Sequence, residues 1–165
     1  MWTLIWLYQP LLARAGVDQA WFGPMHAALC VAQIVVLRSV DRLARAVGGR
    51  ATYLRLAAAI PGLAMLGLAA PLPPLATVAL VMLAMAFGLS RMPIASSVLN
   101  AGVAAPVRAT MLSTVSMLRT LAICLVNPVT GFLADRSLGT TMAALGAATL
   151  VVALASPLRE RHLAE

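Results

Sequence analysis

Hydrophobic positions fall along this chain in long runs, and the polar residues that interrupt them come in short, separated clusters. Six runs emerge, at residues 1–13, 21–37, 52–70, 75–99, 109–133 and 138–157. The stretch LRSVDRLARAVGGR, residues 37–50, divides the second run from the third. Pro71, Pro73 and Pro74 make an uncharged turn after the third, and the tail LRERHLAE is polar. Most runs approach the ~20 residues a helix needs to cross a bilayer, and lipid-facing backbone must satisfy its own hydrogen bonds. The pattern therefore predicts an all-α polytopic membrane protein with about six transmembrane helices. The first run is short and reads as the second half of a longer helix. It does not read as a leader, because no basic residue precedes it and Arg14 interrupts the imitation cleavage site Ala13-Arg14-Ala15.

Composition sharpens this. The chain is 62% hydrophobic and 10% charged, with a mean hydropathy of +0.94, against about 25% charged in ordinary globular domains. A net charge of +7 would suggest nucleic acid in a soluble protein, but here the basic residues flank apolar spans, where membrane orientation explains them better. Nucleic acid is therefore excluded as a partner and the lipid bilayer takes its place. All twelve basic residues are arginine.

Orientation follows from their placement. With the 38–50 loop in the cytoplasm and the spans alternating from there, Arg38, Arg42, Arg45, Arg50, Arg55, Arg108, Arg159 and Arg161 fall inside. Only Arg14 and Arg136 fall outside, while Arg91 and Arg119 lie within spans. The carboxyl tail is then cytoplasmic as well, in what is read as a bacterial inner membrane. The dipeptide Asp41-Arg42 recurs as Asp135-Arg136, each after the second helix of a three-helix group and each followed by a glycine, Gly48 and Gly139. An odd number of helices per group inverts the second group relative to the first, which predicts an inverted 3+3 repeat, a transporter architecture.

At these positions the residues resemble a known family. GFLADRSLG resembles the loop motif of the major facilitator superfamily, and SVDRLARAVGGR resembles the degenerate form found between the second and third helices of that family's carboxyl half. VLNAGVAAPVRATMLS and WLYQPLLARAGVDQAWFG are similar to the fourth-to-fifth helix connection and the end of the first helix of that half in a bacterial branch. The resemblance covers essentially all of residues 1–165. Leu37 departs from the glycine that opens the motif, and Ser137-Leu138 adds one residue before Gly139. The family is built from two six-helix halves, so the resemblance implies a carboxyl-terminal half, a fragment that needs an amino-terminal half or another membrane subunit. It also implies that the third and sixth helices are peripheral and the other four line a cavity. Independently of it, the third and sixth runs hold no ionisable side chain beyond their ends, and the sixth carries small residues four apart, Gly139, Ala143 and Ala147 beside Thr140, Ala144 and Ala148, a pattern that favours close helix packing.

Candidate chemistry concentrates on two helices. The second carries His26, Cys30 and Gln33 on one face, and the fifth carries Ser116, Arg119, Thr120 and Asn127. Arg119 lies about 16 Å along its helix from Arg108, near mid-membrane, where a charge faces a partner or a wet cavity. Arg119, Asn127, Ser116, Thr120, Gln33 and His26 are thus the candidate solute-binding residues. Arg91 lies within snorkelling reach of the cytoplasmic interface. Asp41, Arg42 and Arg45, with Asp135 and Arg136, are candidate gating residues: Asp41, Arg42, Arg45 and Arg50 could form a cytoplasmic latch in which Asp41 pairs with an arginine or a helix end, and the resemblance favours such a latch at Asp41-Arg42 over a bare orientation signal. Pro61, Pro93 and Pro128 are read as kinks. No cofactor or metal is expected: Cys30 and Cys124 sit in separate runs without ligand spacing, and no nucleophile elbow, P-loop or carboxylate within a span supports catalysis. The leading expectation is secondary active transport of a small solute by alternating access, with any proton-coupling carboxylate supplied by the other half. The alternative is a non-transporting membrane protein that packs against another subunit.

Overall fold

A computed structural model describes residues 2–155 as seven α-helices joined by short turns, with no strand among the described residues. They are α1 (Trp2–Arg14), α2 (Phe22–Arg38), α3 (Val40–Ala46), α4 (Arg50–Gly67), α5 (Pro74–Gly102), α6 (Ala105–Arg136) and α7 (Leu138–Ala155). All six hydrophobic runs become helices. By length and composition four of these are able to cross a membrane: the segments Gln19–Arg38, Pro74–Ile94, Pro106–Arg136 and Leu138–Ala155. α1 is too short at 13 residues, and Arg50 and Arg55 in the first turns of α4 lower its apolarity. The tail, with Arg159 and Arg161, lies outside the described residues.

The turns follow from their glycines and prolines. α1 ends where Gly16 takes φ 80°, with Val17 N–H donating to Leu12 O at 3.0 Å, the six-to-one closure of a Schellman cap. Asp18 then caps a short 3-10 turn by accepting from Ala20 N at 2.8 Å. The 38–50 loop is not irregular, as the sequence reading left it: it holds the extra helix α3. Val40, Leu43, Ala44 and Val47 recur at helical spacing and pack against α4 and α5. Gly48 at φ 90° and Gly49 at φ 135° then reverse the chain into α4, a conformation open to glycine without a Cβ penalty. Pro10, Pro61, Pro93 and Pro128 all lie inside continuous helices.

α4 is the centre of the molecule, packed most extensively on α7 and then on α5, which in turn packs on α2 and α1. The α4–α7 approach depends on absent side chains. A Cβ added at Gly146 would come 2.8 Å from Gly62 O and 2.9 Å from Leu66 N; one at Gly62 would come 2.7 Å from Leu150 Cγ. At the start of α7 a Cβ on Gly139 would come 2.6 Å from Ala69 O. α7 buries Thr141, Met142, Gly146 and Ala153, and the partly buried Gly139 extends the seven-residue series Gly139, Gly146, Ala153. Of the four-residue stripes expected, Gly139 and Ala143 lie towards the packing, while Thr140, Ala144, Ala147 and Ala148 are exposed. Two buried clusters fill the bundle: one around Leu4, Leu11, Leu12, Met65, Leu68 and Met142, the other around Val40, Ala44, Tyr53, Ala57 and Ile94. A buried hydrogen bond joins Tyr53 Oη to Ser90 Oγ at 2.7 Å. Ser90 donates its own proton to Phe87 O at 2.7 Å, so the tyrosine is the donor of the pair.

Two contacts fix the ends of the bundle. Arg14 Nη2, at the end of α1, donates to Leu68 O and, at 3.2 Å, to Ala70 O, so the ends of α1 and α4 meet the start of α7. At the other end Asp41 of α3 meets Arg50 at the start of α4, with Ile94 of α5 packed beside them. The two ends are about 27 Å apart along α4 at ~1.5 Å per residue.

Candidate functional site

The candidate residues sit on the two least covered helices. On α2, His26 and Cys30 are exposed and Gln33 is partly buried at the edge of the face that packs on α5. His26 Nδ1 lies 3.3 Å from Tyr8 Oη of α1, with the rings 5.8 Å apart, and Gln9 Nε2 donates to the same hydroxyl at 3.2 Å. Tyr8 was not among the sequence candidates. Its only signal was its place in the buried series Leu4, Leu7, Tyr8, Leu11, Leu12, where a polar tip stands out on an apolar face.

On α6, Arg119 Nη2 donates to Ser116 Oγ at 3.4 Å, and Thr120 Oγ1 donates to Ser116 O at 3.0 Å. One turn of helix thus gathers a guanidinium and two hydroxyls on its surface, all three residues exposed. Two turns on, Asn127 is partly buried and its Oδ1 has no hydrogen-bond partner among the described residues. Thr130 below it is 4% exposed and donates to Val126 O at 2.8 Å, which hides its polarity within the helix. Leu112, Ser116, Arg119, Ile123, Asn127, Thr130 and Ala134 share one side of α6. That side meets the bundle through α7 and α1, with Thr130 buried and Ala134 packed into the core. α2 packs chiefly on α5, and no extensive contact joins it to α6, so the six candidate residues form two open patches rather than one enclosed pocket.

Of the arginines offered as partners for Asp41, Arg50 makes the ion pair: its Nη2 lies 3.3 Å from Asp41 Oδ1, and Arg45 Nε donates to the Asp41 carbonyl at 3.2 Å. Adjacent residues on a helix point in different directions, so the partner comes from beyond α3, where the Gly48-Gly49 reversal brings Arg50 back to Asp41. At the second dipeptide, the Arg136 guanidinium lies 4.3 Å from the centre of the Phe132 ring on its own helix, a cation–π contact, and Asp135 is exposed. The two dipeptides do lie at opposite ends of the bundle, since Asp41 is beside the start of α4 and Asp135 is next to α7, whose start meets the end of α4. Arg91 is partly buried near the Asp41 end, its Nε donating to Gly88 O at 3.2 Å.

No cluster of three or more His, Cys, Asp or Glu able to hold a metal occurs among the described residues. Comparison of the chain with family models, curated proteins and solved structures finds no match.

Proposed function

We propose that the chain is the carboxyl-terminal six-helix half of a secondary active transporter of the major facilitator type, moving a small solute by alternating access together with a second six-helix unit. The observation that carries this reading is α6. It is 32 residues long, bears Arg119 near its middle, and has Thr130 as its one buried side chain among those described. A charged side chain at mid-bilayer costs at least about 2.5 kcal/mol unless it faces polar partners or water. A second unit that closes a hydrated cavity over Ser116, Arg119 and Asn127 supplies that environment, and lipid does not.

The inverted repeat draws support from register. One constant offset in residue number that aligns Asp41-Arg42 with Asp135-Arg136 also aligns Arg14 with Arg108, Cys30 with Cys124 and Gln33 with Asn127. The same offset matches the inward sides of α2 and the start of α3 with that of α6, Leu29 with Ile123, Val36 with Thr130 and Val40 with Ala134, none of which is exposed. In this reading the arginine-rich end is cytoplasmic, in a bacterial inner membrane, and the coupling carboxylate comes from the partner unit. Arg119 is the first candidate for binding an anionic group, because its guanidinium forks two hydrogen bonds to a carboxylate or phosphate.

The test is flux in proteoliposomes together with surface expression. The chain alone inserts but gives no saturable flux; paired with a six-helix amino-terminal unit it gives flux, which Arg119→Lys and Arg119→Ala impair without loss of insertion. Saturable flux from monomeric chain alone, or normal flux in both variants, overturns the reading. Stable capture of a subunit of another architecture, with no flux, selects the alternative of a non-transporting interaction protein.

A further inference from the structure

The two ends of the bundle carry very different charge. At one, Arg14 and Arg136 are balanced by Asp18 and Asp135. At the other, Arg38, Arg42, Arg45, Arg50, Arg55 and Arg108 face Asp41 as the single acidic residue among those described. A basic surplus orients a membrane protein wherever its residues lie, but here it surrounds a built concavity. A cleft of about 210 Å³ opens beside Arg50, walled by Leu37 and Val40 on one side and Ile94 and Ser97 on the other, with Asp41 and Arg50 at its rim.

We infer that this cleft is a binding site for the headgroup of an anionic phospholipid, held by Arg50 at the cleft, with the exposed Arg42 and Arg45 of α3 adding positive charge to the surrounding surface. Its lining mixes the apolar Leu37, Val40, Pro93 and Ile94 with Ser97, Asp41 and Arg50, a profile that suits an amphiphile seated at the interface with its phosphate toward Arg50 and its first acyl carbons against Leu37 and Ile94. Ser97 Oγ already donates to Ile94 O at 2.8 Å, so donation to the phosphate falls to arginine. The Arg50 guanidinium has five N–H donors and directs one nitrogen at Asp41. Both partners of that ion pair are largely exposed, with side-chain exposures of 52% and 76%. A pair so placed is weak and readily exchanged for a phosphate. α3 completes the site: burying Val40 and Ala44 against α4 and α5 leaves Arg42 and Arg45 on its outward side. The site is distinct from the candidate solute-binding residues, since it lies at the Asp41–Arg50 end of the bundle.

The test uses the whole chain, purified in non-ionic detergent and equilibrated with equal amounts of phosphatidylglycerol and phosphatidylcholine, the retained lipid being read by native mass spectrometry. Phosphatidylglycerol is retained at least about tenfold over phosphatidylcholine at low salt, given about fivefold per arginine near an anionic headgroup. The triple variant Arg42→Gln, Arg45→Gln, Arg50→Gln loses that preference, whereas Arg136→Gln at the balanced end keeps it. Asp41→Asn raises retention, because it releases Arg50 while leaving the helices intact. Inorganic phosphate at millimolar concentration leaves the lipid bound, since it lacks the acyl contact. Equal retention of the two lipids, an unchanged preference in the triple variant, lower retention in Asp41→Asn, or complete displacement by inorganic phosphate each overturns the assignment.

Discussion

α4 and α6 are both continuous apolar helices with a proline inside, and they end in opposite situations. α4 has 18 residues, nine of them buried; α6 has 32 and, among its described side chains, buries Thr130. Apolarity does not separate them, because Leu118, Leu121, Leu125 and Phe132 of α6 are all more than half exposed. Small residues do. Ala57, Ala58, Gly62 and Ala64 let α4 take α7 and α5 within backbone distance, and Tyr53 finds its hydrogen bond inside. α6 turns Ser116, Arg119 and Asn127 to the side that would have to close, and no apolar neighbour can satisfy those groups. Burial inside this bundle therefore tracks steric fit and polar satisfaction, which is what decides helix association where lipid is as apolar as leucine.

The sharpest way to break this comparison is to add one methyl group to a glycine on each side of it. Gly146→Ala drives a Cβ to within 3 Å of Gly62 O and Leu66 N in the α4–α7 contact, where overpacking costs about 1–3 kcal/mol. Gly131→Ala on α6 meets nothing within 4 Å and gains up to about 1 kcal/mol of helix propensity. Thermal unfolding in detergent should lower the midpoint for the first variant by several degrees, at ~2–4 °C per kcal/mol, and leave the second unchanged or raised. Equal shifts would mean that α4 and α6 are packed alike.

The sequence makes the helices legible, because long apolar runs broken by arginine, proline and glycine have few other solutions in a bilayer. Which faces meet is less legible. The small residues of α7 can be read as a four-residue stripe or as the seven-residue series Gly139, Gly146, Ala153, and only the presence of Gly62 opposite selects the second. α3 was visible in the spacing of Val40, Leu43, Ala44 and Val47 but was obscured by the charges among them. The partners of the site residues were legible only as alternatives or not at all. Arg50 stood among several arginines offered to Asp41, and two glycines that reverse the chain select it; His26 finds Tyr8 because α1 lies against the same bundle. Both depend on tertiary approach and leave no periodic trace.

Three substitutions sharpen the comparison at smaller scale, one where α1 meets the end of α4, one in the interior of α4 and one on α6. Arg14→Gln removes the charged donor that ties Leu68 O and Ala70 O to α1. A hydrogen bond from a charged group contributes about 1.5–3 kcal/mol, and less where solvent reaches it, so a loss near the lower figure is expected from denaturation in mixed micelles. Tyr53→Phe removes the donor to Ser90 Oγ but leaves the proton of Ser90 on Phe87 O. Its expected cost is about 1 kcal/mol. Thr130→Val on α6, whose hydroxyl donates to Val126 O of its own helix, should cost less than Tyr53→Phe in the same measurement. A larger cost would place Thr130 in a contact as tight as any in α4.

The smallest effect expected separates the two Asp-Arg dipeptides. Asp41→Asn deletes the charge that meets Arg50, and because the pair is solvent-exposed its loss should lower stability by well under 1 kcal/mol. Asp135→Asn, next to an Arg136 that lies over Phe132, should change it even less. The informative quantity is the double-mutant cycle of Asp41→Asn with Arg50→Gln, which isolates the pair from its surroundings. A coupling of a few tenths of a kcal/mol, weakened by salt, is what a contact built to open and close would have. A coupling of several kcal/mol, insensitive to salt, would make the pair a fixed strut of the α3–α4 junction. In that case Arg50 could not exchange Asp41 for a phosphate. The charge asymmetry between the two ends of the bundle would then reflect orientation alone.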